Sequence, residues 1–405
     1  MRARTVIGFA ICAGAIGCTA VLGSFDVASG PGGTGQDAAG DVTSTDGPSS
    51  GDGSMTDGPS DAPTDATPSC PSPKVPCGTV CVDLVGNDKH CGACGRSCLG
   101  GTCTGSTCSP GLFVSRADLN QGVLAATDLD VFVTTTAGDL LQIPLATATP
   151  TPLKLATAPA GRIYAIAPAG LKVHFTVATM GGAAWDFWSA TIGTGNSGVA
   201  RGLSLAGSPI GLVVAGANIH TQHVTAASPE TFQITSCPVM GGACGGNFNG
   251  AGRPGAKMAA GNGYVFWTDF LSDAVYAMPD TAGAVMRTAI ATGEAGPDTP
   301  AWDGTTLYWQ NGGSSLLRRS PYPAPAATTF QNINFSANDL LVDGTNVYYS
   351  QYDGATNQLY VIPKNAALGT APTSIASGEI RQLRQNAFAV FWIDPATGLH
   401  AYRKP

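Results

Sequence analysis

The stretch Tyr264-Val265-Phe266-Trp267-Thr268-Asp269 is an aromatic and β-branched run that ends in an acid, and it recurs along the chain. Close copies are Thr306-Leu307-Tyr308-Trp309, Asn346-Val347-Tyr348-Tyr349 and Ala389-Val390-Phe391-Trp392-Ile393-Asp394; weaker ones are Val131-Phe132-Val133, Val173-His174-Phe175 and Asn218-Ile219-His220. Successive copies lie 40 to 47 residues apart. Because aromatic and β-branched residues favour strands, the sequence predicts seven repeats of one strand-rich unit.

Each repeat contains enough signals for four strands. In the copy that starts at Lys257, a short apolar run, the Tyr264–Thr268 strand, a strand ending near Pro279 and a run to Ala291 follow one another, separated by turns. Asp-Gly pairs mark hairpins, and a proline lacks a ladder donor and so marks a strand end. Four-stranded repeats of this period are typical of a β-propeller. We therefore predict an all-β chain with a single β-propeller of seven blades over residues 110–405.

The last repeat is one strand short. After Leu399-His400-Ala401-Tyr402-Arg403 the sequence stops, whereas Leu112-Phe113-Val114 is a strand without a repeat of its own. Inserting this early strand into the last blade would close the ring and remove both free edges. The sequence therefore predicts that the strand before the first repeat completes the seventh blade.

The repeated motif resembles that of YWTD-type propellers of the low-density-lipoprotein-receptor class and their bacterial relatives. Phe266, Trp267 and Asp269 match the motif best, and Phe391, Trp392 and Asp394 match nearly as well; Tyr308-Trp309 and Tyr348-Tyr349 keep the aromatic pair without the acid. The resemblance implies that these residues pack between blades. That family usually has six blades, so six is the alternative to the seven counted from the repeats.

The N-terminal part reads as an export and anchoring segment. Met1-Arg2-Ala3-Arg4 precedes an apolar run from Val6 to Gly17, which is too short to span a bilayer and is typical of a signal peptide. Ala15-Ile16-Gly17-Cys18 resembles a bacterial lipobox, which implies a signal over residues 1–18, lipidation of Cys18 and a place at the outer membrane or cell surface. An ordinary cleaved signal is the alternative. Residues 19–69 contain eight Asp residues and no Lys or Arg, which predicts a disordered acidic tether.

Residues 70–109 form a cysteine-rich segment. Its eight cysteines are Cys70, Cys77, Cys81, Cys91, Cys94, Cys98, Cys103 and Cys108. In an exported chain this density indicates disulfides, with 105 possible connectivities; the alternative is zinc, because Cys91 and Cys94 have ligand spacing beside His90. The segment resembles a surface-protein module of myxobacteria, which implies a spacer or contact role. Cys237 and Cys244 are expected to close a local disulfide.

The composition excludes some partners. Charged residues make up 12% of the chain and its formal charge is −7; the propeller region is nearly balanced, so no basic surface points to nucleic acid. No catalytic elbow, metalloprotease helix, P-loop or dinucleotide fingerprint is present. We expect no cofactor and no metal, and calcium has no support in the sequence. A monomer is expected.

Three sets of residues are candidate sites. His220 and His223 are three apart, but residues at that spacing point to opposite faces of a strand, which disfavours a metal pair. Asp128, Asp303 and Asp343 recur near the first turn of their repeats and could ring one face, although turn formation alone explains them. The Gly-rich stretch Gly241–Gly255 is predicted to be a long loop, either a contact site or a plain exposed insertion.

These features predict an exported, lipid-anchored surface protein. Its propeller is expected to serve as a binding scaffold for an unknown protein or glycan at the cell surface. The alternative is a metal-dependent hydrolase or lyase with its site at the central channel, whose catalytic residues the sequence does not identify. Because propellers host many unrelated functions, the fold alone does not choose between the two.

Overall fold

The computed structural model describes residues 68–119, 122–147, 150–158, 161–179, 184–227, 230–281, 283, 286–333, 337–352 and 356–405. Within these residues the chain is all-β: it forms seven four-stranded antiparallel sheets and two small hairpins, and its one helical element is a single 3-10 turn at Ala117–Leu119. The seven-bladed propeller predicted from the repeats is confirmed, and the six-blade alternative is wrong. No helix of the described residues is long and apolar enough to cross a membrane.

The strands follow one another in chain order. The N-terminal hairpins and the strand after them are β1 (Val75–Cys77), β2 (Val80–Val82), β3 (Cys103–Thr104), β4 (Thr107–Cys108) and β5 (Gly111–Ser115). Blades 1 to 3 are β6 (Leu124–Ala126), β7 (Asp130–Thr134), β8 (Asp139–Pro144), β9 (Leu153–Thr157); β10 (Gly161–Ala169), β11 (Lys172–Thr179), β12 (Ala184–Thr191), β13 (Val199–Ala206); and β14 (Ser208–Ala215), β15 (Asn218–Ala227), β16 (Glu230–Pro238), β17 (Gly245–Ala251).

The remaining blades continue the same order. Blades 4 to 6 are β18 (Pro254–Gly261), β19 (Tyr264–Asp269), β20 (Ala274–Pro279), β21 (Thr288–Thr292); β22 (Pro297–Trp302), β23 (Thr306–Asn311), β24 (Leu316–Pro321), β25 (Thr328–Asn332); and β26 (Ala337–Val342), β27 (Asn346–Tyr352), β28 (Asn357–Pro363), β29 (Thr373–Gly378). Blade 7 contains β30 (Arg381–Gln385), β31 (Ala389–Asp394) and β32 (Gly398–Arg403).

The first strand of each blade lies innermost. First strands of neighbouring blades contact each other all the way round the ring, so they line the central channel. The third strand ends at a proline in five blades, as the sequence predicts: Pro144, Pro238, Pro279, Pro321 and Pro363. We call the face with the turns between first and second strands and between third and fourth strands the module face. The opposite face, with the turns between second and third strands and the connections between blades, is the open face.

Strand β5 completes blade 7. It pairs antiparallel with β32, where Val114 lies opposite Leu399 and Gly111 opposite Ala401. Phe113 and Val114 are buried in one cluster with Phe391 and Leu399, and the rings of Phe113 and Phe391 lie 6.4 Å apart. The ring closure predicted from the sequence is therefore confirmed.

The cysteine-rich segment is a disulfide-rich module, as predicted. Its disulfides are Cys70–Cys81, Cys77–Cys94, Cys91–Cys103 and Cys98–Cys108. Since Cys91 and Cys94 belong to different disulfides, they cannot share a zinc ion, and the zinc alternative is wrong. A further disulfide joins Cys237 to Cys244.

The module is packed onto blade 7 at the module face. The Arg96 guanidinium donates a 2.8 Å hydrogen bond to the Lys404 carbonyl, and Leu99 is buried with Phe113. The contact is close enough to require glycine: at Gly100 a Cβ atom would lie 2.1 Å from the Leu112 carbonyl oxygen. The module therefore lies directly against the strand that closes the ring.

The stretch Gly241–Gly255 is not the long loop predicted from its glycines. It contains β17, the fourth strand of blade 3, and the start of β18. This stretch has glycines instead of the β-branched residues that usually signal a strand. Its backbone nevertheless pairs with β16. The signal region 1–18, the lipidation residue Cys18 and nearly all of the tether lie outside the described residues.

Ring closure by β5 can be tested with a buried and an exposed residue of that strand. We expect Phe113→Ala to lower the free energy of unfolding by about 3 kcal/mol, because it removes a large buried side chain from the seam. The matched control is Leu112→Ala, since Leu112 is exposed on the same strand. Denaturant unfolding measures both variants, and equal losses would contradict the role given to this seam.

Candidate functional site

The two adjacent aromatic residues of the repeated motif pack against the blades on either side. The Phe266 ring lies 4.8 Å from Trp302 of blade 5, and the Trp267 ring lies 5.5 Å from Phe248 of blade 3. Neighbouring residues of a strand point to opposite faces, so one pair fills two blade interfaces. The other aromatic residues of the motif are also buried: Tyr308, Trp309, Tyr348, Tyr349, Phe391 and Trp392.

The acid of the motif holds a turn. A carboxylate oxygen of Asp269 accepts hydrogen bonds from the backbone N–H groups of Arg253, Leu271 and Ser272, at 3.1 to 3.3 Å. Asp394 accepts from the N–H of Ala396 at 2.8 Å in the same turn of blade 7. The motif therefore fixes the turns of the open face as well as the interfaces between blades.

Asp303 and Asp343 each cap a turn of the module face and pair with a lysine of the next blade. One oxygen of Asp303 caps its own turn, accepting from the N–H of Thr306 at 2.7 Å, and the other pairs with Lys364 of blade 6 at 2.5 Å. Asp343 caps its turn in the same way and pairs with Lys404 of blade 7 at 3.0 Å. Burial acts to raise the pKa of both carboxyls, but the lysines and the turn amides overcome it and lower both pKa values.

Asp128 occupies a different position from the other two acids. The turn-capping place in blade 1 belongs to Thr127, whose hydroxyl accepts from the N–H of Asp130 at 3.0 Å. Asp128 instead accepts from the N–H of Ala387 in blade 7 at 2.9 Å. All three acids line a cavity of about 880 Å³ at the centre of the module face, beside Trp302, Tyr348 and Lys404. They do converge on one face, but their known partners are turns and neighbouring blades.

The first strands of blades 4 to 7 carry charged residues that sequence reasoning missed. Lys257, Asp339 and Arg384 are almost fully buried. Lys257 forms an ion pair with Asp339, and the Arg384 guanidinium lies 3.7 Å from the other carboxylate oxygen. Backbone N–H groups of Leu340 and Leu383 also donate to Asp339, at 2.9 and 2.8 Å. Burial lowers the pKa of Lys257, against the raising influence of Asp339.

This charged cluster is positioned by irregular pairing. The register between first and second strand shifts around Lys257, Asp298, Asp339 and Arg384, one residue in each of four successive blades. Bulges of this kind turn a side chain out of the regular alternation. The only sequence signal was a charge within each first-strand segment of a chain poor in charge. With two acids and two bases, the cluster is neutral as a set, which is how buried charges are tolerated.

Three buried histidines lie in blades 2 and 3. His223 packs 5.3 Å from the Trp185 ring of blade 2, and the pairing of β15 with β16 is regular from His220 to His223, so successive side chains alternate between the two faces. The two histidines therefore point to opposite faces of blade 3, as the strand spacing predicts. His174 is stacked on Phe187 within blade 2. Among the described residues, the close cluster of metal-type ligands is Cys91, Cys98 and Cys103, and their sulfurs are in disulfides.

The open face presents an aromatic turn on blade 4. Phe270 and Leu271 are 49% and 58% exposed, directly after the turn-capping Asp269. Phe270 lies across Gly296 of blade 5, where a Cβ atom would come within 2.7 Å of the ring, and the Arg253 guanidinium lies 5.9 Å from its centroid. Aromatic residues and arginine are among the residue types enriched in protein–protein interfaces.

Comparison with known proteins bears on the fold. The sequence matches no protein-family model and no curated protein. A streptogramin B lyase structure is similar with a TM-score of 0.54 and 12% identity, over 72% of this chain and 96% of that one. A catalytically inactive virginiamycin B lyase from Staphylococcus aureus with quinupristin gives 0.52 and 12%, over 72% and 98%. A chain of the mitotic checkpoint complex gives 0.52 and 10%, over 72% and 88%. At these identities the likeness shows the propeller fold alone.

The buried histidines predict a pH-dependent stability. Burial lowers the pKa of His174, His220 and His223 to about 4, with the charges of Arg201 and Lys172 adding to the effect at His174 and a Gln233 hydrogen bond opposing it at His223. An unfolded histidine titrates near 6.5, so as the pH falls the unfolded chain takes up protons first. Stability is therefore full above about pH 6.5 and falls until about pH 4, by roughly 3 kcal/mol per histidine at most.

Denaturant unfolding across this pH range measures the effect. We expect His220→Asn and His223→Gln each to give a shallower loss of unfolding free energy between about pH 6.5 and pH 4 than the unchanged chain gives, because each removes one of the titrating groups. Parallel curves for the unchanged chain and both variants would contradict the assignment.

Proposed function

We propose that the chain is an exported, lipid-anchored surface protein whose propeller binds a protein or glycan partner through its open face. The observation that supports this proposal is that the disulfide module lies on one face of the propeller and leaves the opposite face uncovered by it. The disulfide module, through which the N-terminal part of the chain enters, is packed against the module face. The open face therefore points away from the attachment and is free to meet a partner.

The aromatic turn of blade 4 is the proposed contact point. Three backbone hydrogen bonds to Asp269 hold the turn, so Phe270 and Leu271 are presented in one geometry. A preorganised anchor loses little conformational entropy on binding. Aromatic faces suit both the apolar anchors of proteins and the C–H faces of sugars. The resemblance to YWTD-type propellers, whose motif residues pack between blades, supports the rigid-scaffold part of this proposal.

The acids of the module face support binding over catalysis. Asp303 and Asp343 each cap a turn and pair with a lysine of the next blade, so both carboxylates are engaged in holding the ring. A general acid or base needs a carboxyl group that can exchange its proton with a substrate. These acids are better suited to structure.

A second candidate is a hydrolase or lyase with its site in the central channel. The charged residues of the first strands favour it, because Lys257, Asp298, Asp339 and Arg384 converge there from four blades. Turnover of a substrate by the purified chain, lost in Asp298→Asn, would favour this candidate over the scaffold.

The anchor is tested by replacing the lipidation residue. We expect the unchanged chain to incorporate a radiolabelled fatty acid and to partition into the detergent phase, because a lipid chain on Cys18 would dominate its partitioning. Cys18→Ser should lose the label while thermal unfolding of the propeller stays unchanged, since the propeller strands lie between Gly111 and Arg403. Absence of label in the unchanged chain would overturn the anchoring proposal.

The open-face site is tested with the oxidised chain lacking residues 1–18, a deletion that leaves all described elements in place. Glycan arrays and a surface-protein fraction supply candidate ligands. For a ligand that binds, Phe270→Ser combined with Leu271→Ser should weaken affinity by at least about tenfold, because it removes the anchor. The matched control is Met240→Ser with Met286→Ser, two exposed residues of the module face. A ligand that the control loses and the first variant keeps would contradict the proposal.

A further inference from the structure

Exposed apolar side chains are unevenly distributed over the described residues. Fourteen large apolar residues are exposed: three lie at the open face, two lie in the disulfide module, and nine lie at turns or strand ends of the module face. Isolated exposed apolar residues are ordinary, but their concentration on one face marks an interaction surface. The module face is therefore a candidate docking surface.

The concentration is densest on three consecutive blades. Phe388, Leu129 and Leu171 occupy the first turns of blades 7, 1 and 2, with exposed fractions of 44%, 75% and 80%. Leu153 and Val199 are exposed at the starts of the outer strands of blades 1 and 2. We call these five residues the apolar sector.

The apolar sector adjoins the disulfide module. The Lys404 N–H donates to the Phe388 carbonyl at 2.9 Å, and the Lys404 carbonyl accepts from Arg96 of the module at 2.8 Å. One residue therefore separates the sector from the module. The 67 residues that precede the described part of the chain continue directly into this module.

The arrangement of the sector favours a lipid surface over a protein partner. Its side chains stand on separate turns of separate blades, and a protein partner would need a matching pocket for each of them. A bilayer interface accepts apolar side chains at any lateral spacing. Basic groups lie beside two of the three tips: Lys172 follows Leu171 and is exposed, and the Arg403 guanidinium lies 5.0 Å from the Phe388 ring centroid. The third tip, Leu129, lies between Asp128 and Asp130, whose carboxylates accept hydrogen bonds from the Ala387 N–H and the Gln142 side chain.

We propose that the apolar sector inserts into the headgroup region of a lipid bilayer and holds the module face against it. This inference rests on the proposed anchoring, which places the chain at a membrane. A flexible chain of the tether's length has a root-mean-square span of about 40 Å, which allows the propeller to reach the surface without forcing it there. The sector supplies a second point of attachment, and the open face is left towards the partner.

Vesicle binding tests this docking without the lipid anchor. The oxidised chain lacking residues 1–18 is sedimented with vesicles of phosphatidylethanolamine and phosphatidylglycerol. We expect binding, and we expect Leu129→Ser, Leu171→Ser and Phe388→Ser together to lower the partition coefficient by at least about tenfold, because three apolar tips no longer insert. The matched control, Tyr352→Ser, changes an exposed residue at the open-face end of β27 and should bind vesicles as the unchanged chain does.

The outcomes separate this inference from the proposed function. The lipid contact is overturned if the unchanged chain does not bind vesicles, or if the triple variant binds them equally well. In that case, fatty-acid labelling of Cys18 together with ligand binding at the open face would still support the proposed anchored scaffold. Light scattering without vesicles tests whether the apolar sector instead contacts a second copy of the chain. If the unchanged chain is a dimer and the triple variant is a monomer, the lipid contact is also overturned. Circular dichroism and thermal unfolding confirm that the triple variant is folded.

Discussion

The pairing of β5 with β32 is the constraint on which the propeller depends. It gives blade 7 its fourth strand and joins the first and last strands of the propeller region, with Val114 opposite Leu399. Without it, β32 would present an unpaired edge, and the buried cluster around Phe391 would lose Phe113 and Val114. The first strands contact each other round the complete ring, so an opened seventh blade would loosen its interfaces with blades 6 and 1.

Several of the few charged residues of the propeller form ion pairs between blades. The lysines that follow the third strands of blades 6 and 7 pair with turn-capping acids of blades 5 and 6. Within the channel, Asp339 of blade 6 links Lys257 of blade 4 with Arg384 of blade 7. Such pairs add little stability when exposed, but a buried pair that loses one partner is strongly destabilising. The lysine–acid pairs of the module face therefore tie blade 5 to blade 6 and blade 6 to blade 7, whereas the channel cluster ties blades 4 and 7 to blade 6.

The scaffold could be predicted from the sequence because its signals are local and repeated. The 40 to 47-residue period, the prolines that end third strands and the unpaired Leu112-Phe113-Val114 strand gave seven blades and the closure. The glycine stretch was misjudged because β17 is held by backbone pairing rather than by residue preference. The channel cluster was missed because Lys257 and Asp339 meet only when blades 4 and 6 are brought together. The face on which the N-terminal chain enters likewise depends on three-dimensional packing and not on any motif.

The order of folding follows from the position of β5. The disulfide module and β5 are the first described parts of the chain to be made, and their partner β32 is the last. Hence β5 can pair with β32 only after the whole propeller has been synthesised. The module, whose four disulfides are all local, can oxidise in the meantime. Because the oxidised module packs directly against β5, it would shield that strand from incorrect pairing until β32 has been made, and so assist the folding of the propeller.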